Sequence, residues 1–191
     1  MIAVAHGRAL AMPIYADLVD WAGAENVVRA DPITVAGWKI PEEHKALLVN
    51  TGVPLTENLI EDVAFQPEAE PALLTRDGRR LYQLTKNHHG DLVPGLLWAF
   101  GVEPVTGTVH YVLPDGEAWF ANSSIDPWLQ CLHHYGRHLS QSEVLNDADE
   151  REEEALAELG RLAAEMKEID PPAFDGYLGF IWAEFLDRWL W

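Results

Sequence analysis

Apolar residues recur at helical spacing at the two ends of the chain and at strand spacing between them. Ile14, Leu18 and Trp21 share one helical face and Gly23 can end it, which predicts a helix over Ile14–Trp21. Val27–Trp38 is β-branched and interrupted by Pro32, so it reads as a loop or an edge strand. Pro41 opens P-E-E-H-K-A-L-L-V-N-T-G. Proline at the first helical position, two acids in the first turn and Gly52 after the end predict a short helix. The pattern then changes. Short runs at Arg80–Thr85, Gly95–Val102, Thr108–Leu113 and Glu117–Ala121 alternate with turn signals at Asp77-Gly78, His89-Gly90, Thr106-Gly107 and Asp115-Gly116. This is the pattern of an antiparallel meander, with Asp115-Gly116 its clearest hairpin.

Helical spacing returns after Ser124. Ile125, Trp128, Leu129, Leu132, Tyr135 and Leu139 make one apolar face; Leu156, Leu159, Leu162 and Met166 make another within Glu150–Ile169. Pro171-Pro172 ends that helix, and Tyr177–Trp191 carries Leu178, Ile181, Trp182, Phe185 and Trp189 at helical spacing. Helices, then strands, then helices, without alternation, predict an α+β fold: an antiparallel meander flanked by N-terminal and C-terminal helices. The 191 residues suit a single domain, 1–191, whose 141–191 part is helical.

Composition adds one departure from the ordinary. Hydrophobic residues at 48% and charged residues at 23% are those of a folded chain. Asp and Glu number 31 against 13 Lys and Arg, a formal net charge of -18. Such a field repels nucleic acid and anionic membrane and draws in a basic protein, although it also serves solubility alone. Its densest part is Glu143–Asp170, with eleven acids and three bases. Asp149, Glu150, Glu152, Glu153 and Glu154 are the expected partner-binding residues. The competing reading is a solvated face whose acids merely favour a helix start. The single Cys131 excludes an intramolecular disulfide and a multi-cysteine zinc site. His6, Gly7 and Arg8 break the apolar N-terminus, which makes a poor signal peptide. The longest apolar run, Leu92–Val102, falls short of the ~20 residues of a membrane helix. The expected location is the cytoplasm.

Candidate chemistry is sparse. Asn122-Ser123-Ser124 lies where a strand runs into a helix. Ser123 and Asp126 have the spacing of a capping box, and Pro127 suits a first turn. The triplet matches a glycosylation sequon, but it lacks the glycines of a nucleophile elbow, so a structural corner is expected. His134 and His138 at i, i+4 have a metal-binding spacing but no third ligand; His88-His89-Gly90-Asp91 sits at a turn. Cys131 has no base and reads as a small buried hydrophobe. Trp182 and Trp189 fit a core face. Trp38 and Trp191 are candidates for surface anchors, with core packing the preferred reading for each. No catalytic residue, metal or cofactor is expected.

The run V-T-G-T-V-H-Y-V-L-P-D-G-E-A-W-F-A-N-S-S-I-D-P-W-L-Q-C-L-H-H-Y (Val105–Tyr135) resembles the SUKH superfamily of bacterial immunity proteins, relatives of the fungal cell-wall synthesis regulators called Smi/Knr. It looks most like the superfamily's fourth branch, common in actinobacteria. L-L-V-N-T-G-V-P (Leu47–Pro54), I-D-P-P-A-F (Ile169–Phe174) and F-I-W-A-E-F-L-D (Phe180–Asp187) are similar to further family segments. The resemblance covers most of Leu47–Trp191 and departs from the family over residues 1–40 and in the acidic linker Gln141–Glu154. It implies a non-enzymatic antitoxin that binds and blocks a toxin domain, often a nuclease or deaminase. The other readings are an intracellular regulator or scaffold, as in the fungal relatives, and a small metal-assisted hydrolase using the histidines.

Overall fold

A computed structural model describes residues 11–56, 59–87, 98–176 and 179–187. The N-terminal part holds α1 (Tyr15–Ala22), β1 (Val27–Val28), α2 (Pro32–Ala36), α3 (Glu42–Asn50) and β2 (Val53–Pro54). Next come β3 (Asp62–Val63), β4 (Leu73–Leu74), β5 (Arg80–Gln83), β6 (Thr85–Lys86), β7 (Ala99–Val102), β8 (Val109–Val112) and β9 (Ala118–Asn122). The chain closes with α4 (Ile125–Gln141), α5 (Glu143–Asn146), α6 (Glu152–Ile169) and α7 (Ile181–Asp187). The α+β order and the meander agree with the expectation.

The main sheet runs β4-β5-β7-β8-β9, each neighbour antiparallel. Strand alternation sends Phe100, Val102, Val109 and Tyr111 to one buried face. There Phe100 packs on Trp128 of α4 with ring centres 5.3 Å apart, and Tyr111 meets Phe185 of α7 edge-on at 5.3 Å. Each such enclosed side chain contributes roughly 1.5–3 kcal/mol. On its other side α4 receives α1. Trp21 lies so close to Gly136 that an added Cβ would sit 2.1 Å from the indole, so only glycine fits there. None of the helices among the described residues is long and apolar enough to cross a membrane.

Two local expectations change, at Pro32 and Leu156, and Trp38 takes the core position preferred for it. Pro32 does not break a strand. Val27–Val28 pairs with β2, and Pro32 starts α2, where the Asp31 carboxylate accepts the Ile33 N–H at 2.7 Å. Trp38 is not a surface anchor but 2% exposed, stacked on Tyr82 at 4.7 Å with its indole N–H donated to Gln66 O at 2.9 Å. Leu156 is 48% exposed, because α6 turns Ala155, Leu159, Leu162 and Met166 inward and leaves Leu156 on the neighbouring stripe. The last helix spans Ile181–Asp187 among the described residues. Residues 88–91, Leu178, Trp189, Trp191 and the N-terminal residues 1–10 lie outside them.

Candidate partner interface

The five acids expected to meet a partner fall on one continuous stretch, the α5–α6 turn and the first turn of α6. The Ser142 hydroxyl caps α5 by accepting the Leu145 N–H at 3.1 Å. The chain then turns through Asp147, whose carbonyl accepts from Glu150 N and Arg151 N, both at 3.1 Å, and Arg151 O receives Ala155 N at 2.9 Å to open α6. Buried Ala155 and Leu159 hold this turn against the body, which forces Glu152, Glu153 and Glu154 outward. Asp149 and Glu150 are exposed beside them and help line a concavity with Leu145, Asn146, Asp147 and Ala148. Three acids in the first turn also suit the positive end of the helix dipole. Glu154 is ion-paired with Arg151; that hydrogen bond and then the charge lower its pKa and raise that of Arg151. Among the described residues Asp149, Glu150, Glu152 and Glu153 have no ion-pair partner.

The other end of α6 is built in the opposite way. Asp170, immediately after the helix, is 3% exposed. Its carboxylate accepts from Asn122 Nδ2 at 2.9 Å, Ser123 N at 2.8 Å and Ser123 Oγ at 2.7 Å. Asn122 Oδ1 in turn accepts from the Trp182 indole N–H at 2.9 Å. The triplet is therefore the structural corner expected, but not through a capping box. Ser124 is the N-cap of α4 and its side chain makes no cap bond, while Ser123 reaches across to Asp170. Asn122 is fully buried, so a glycan has no access in the folded chain. Ser123 Oγ is held by the Asp170 carboxylate, a bond that ties the corner to the end of α6. Cys131 is fully buried, 3.6 Å from Asn122 Nδ2; burial pushes its thiol far up, as a packing residue requires.

The α4 histidines take different partners, although the rings of His133 and His134 meet edge-on at 5.7 Å. His133 Nδ1 accepts the Trp21 indole N–H at 3.1 Å, toward α1. His134 Nδ1 lies 3.8 Å from Glu165 and His138 Nε2 lies 2.8 Å from Glu158, both on α6. Burial lowers the pKa of His134 against the pull of Glu165, and lowers that of His133 to about 4. The i, i+4 pair thus spaces two helices. Among the described residues no group of three or more His, Cys, Asp or Glu could hold a metal ion.

Sequence reasoning missed Asp170 as the hub of the corner. Its only signal was its place in I-D-P-P, next to a helix end. Comparison with known proteins adds one match: the family model described as SUKH-4 immunity protein covers residues 14–188. It begins well upstream of Leu47 and takes in α1, α2 and α3. No curated protein matches, and no solved structure does.

Proposed function

The chain belongs to the SUKH-4 immunity protein family, and from that premise we propose that it is a non-enzymatic antitoxin, acting in the cytoplasm, that binds and neutralises a cationic toxin domain such as a nuclease or deaminase. The acids Asp149, Glu150, Glu152, Glu153 and Glu154 present the charge that such a toxin recognises. One observation carries the reading: a chain of net charge -18 holds these five acids exposed together at the start of a helix whose other face is buried. A protein that binds nucleic acid carries a cationic surface to meet phosphate. A surface of the opposite sign can occupy that surface in its place. The field also repels nucleic acid and anionic membrane from the antitoxin itself.

The test is a pull-down with the purified product of the gene adjacent to this one, followed by association kinetics. The Debye length shrinks from ~30 Å at 0.01 M salt to ~10 Å at 0.1 M. Association should slow steeply over that range while dissociation changes little. A salt-independent association rate would remove the acidic end of α6 from the recognition surface.

A further inference from the structure

The β7–β8 connection carries a strained backbone conformation. Val105 stands at φ 69°, the one non-glycine residue at positive φ among those described, and its side chain is 77% exposed. A β-branched residue is the least suited to this region, where Gly or Asn sits without strain. The Thr106 N–H bonds back to Pro104 O at 2.8 Å across Val105, the pattern of a γ-turn, and at positive φ this is the rare, strained hand.

The conformation is over-determined. Val105 N donates to Lys39 O at 2.6 Å, Gly107 N to Glu103 O at 3.0 Å and Glu103 N to Thr108 O at 2.8 Å. Thr106 Oγ1 donates to Glu103 Oε2 at 3.0 Å, and Thr108 Oγ1 bonds Thr106 Oγ1 at 3.1 Å. Gly107 lies against the His44 ring, where a Cβ would clash at 2.3 Å. Six hydrogen bonds and a tight glycine hold the loop in place, and what they present to solvent is an isopropyl group. The surroundings are acidic. Glu103 belongs to the loop, and Glu70 neutralises Lys39 at 2.6 Å. Glu43 adjoins His44, and Lys45 is tied to Glu42 at 2.7 Å. Ile33, 82% exposed, projects from α2, the helix that leads into the Trp38–Ile40 segment anchoring Val105.

We infer that Val105 is an apolar anchor for the cationic toxin, held in a strained turn because it fills a pocket on that partner. This rests on the antitoxin reading and adds to it a second contact, away from the α5–α6 acids. Interfaces place a few desolvated apolar anchors inside a polar rim, and here the rim has the sign that complements a basic partner. Strain kept at a residue 77% exposed is consistent with a function outside the chain. A second copy of this chain is the less suitable occupant, since each carries a net charge of -18.

The test pairs stability with affinity for the adjacent gene's product. Val105→Asn relieves the turn, so its melting temperature should rise by on the order of 2–5 °C while affinity falls about tenfold or more. Val105→Thr keeps the branched shape and strain, leaves the melting temperature unchanged and should also weaken binding. Val105→Ile should bind like the parent. If Val105→Asn and Val105→Thr bind as tightly as the parent, the inference is overturned while the antitoxin reading stands. If the parent itself does not bind that product, the antitoxin reading falls and takes this one with it. Concentration-dependent self-association of the parent, abolished in Val105→Asn with toxin affinity intact, would assign the residue to a homodimer and overturn the proposal.

Discussion

The two ends of α6 use the same kind of residue for opposite purposes. At its start Glu152, Glu153 and Glu154 point into water, with Arg151 serving Glu154 alone. At its end Asp170 is buried and receives three hydrogen bonds from Asn122 and Ser123. A buried carboxylate persists only where donors replace its lost water, and the corner after β9 supplies them. Among the described residues only Arg151 donates to these acids, to Glu154, so Glu152 and Glu153 keep their hydration and their long-range field. One end of the helix fixes where α6 lies against the sheet and α7, and the other end displays charge from that fixed position. Burial with satisfied bonds makes architecture; exposure without partners leaves a surface open to recognition.

The largest effect should come from the buried end. Asp170→Ala leaves the buried Asn122 amide without its carboxylate acceptor and removes both bonds from the exposed Ser123, and should destabilise the fold by ~2–4 kcal/mol in urea denaturation. A loss under ~1 kcal/mol would mean that the corner is not pinned and that the contrast between the ends is unfounded.

Acid should expose a second buried polar contribution. His110, 6% exposed, and His133, 8% exposed, are each held at about 4 rather than 6.5, by burial first and then by neighbouring positive charge. They remain neutral in the fold while the unfolded chain takes up protons. Their contribution is complete above pH 6.5 and is lost as pH falls toward 4, on the order of 2–3 kcal/mol each. His110→Gln should flatten this fall in a series of melts. An unchanged profile would place the acid sensitivity elsewhere.

Two serines then test the corner at finer scale. Ser123→Ala deletes one bond to the carboxylate and should cost ~1–2 kcal/mol, whereas Ser124→Ala, whose side chain caps nothing, should cost under ~0.5 kcal/mol. Equal losses would restore the capping interpretation. The smallest stability effect belongs to the exposed end. Glu152→Gln, Glu153→Gln and Glu154→Gln combined should change stability by less than ~0.5 kcal/mol, yet slow association with the cationic partner several-fold at low salt. A triple variant that associates as fast as the parent would make the two ends of α6 alike in having only structural roles.

The class of fold, the meander, the helical faces of α4 and α6 and the place of the acids were legible from the residues alone, because periodicity and turn residues act locally. The sequence carried the family resemblance for the same reason, through short motifs in order. It also located the Asn122-Ser123-Ser124 corner as a boundary between strand and helix. What Ser123 bonds was decided only when α6 and the Pro171-Pro172 turn brought Asp170 back beside it, 47 positions along the chain. Pro32 looked like a breaker, since a proline at a helix start and one within a strand read alike until the Asp31 cap is seen. Trp38 was ambiguous because burial depends on what packs against a residue, here Tyr82 from the sheet. Val105 was invisible in Val-Thr-Gly for a related reason. A backbone angle forced by Lys39 and Glu103 is a property of the assembled loop, and local preference points the other way.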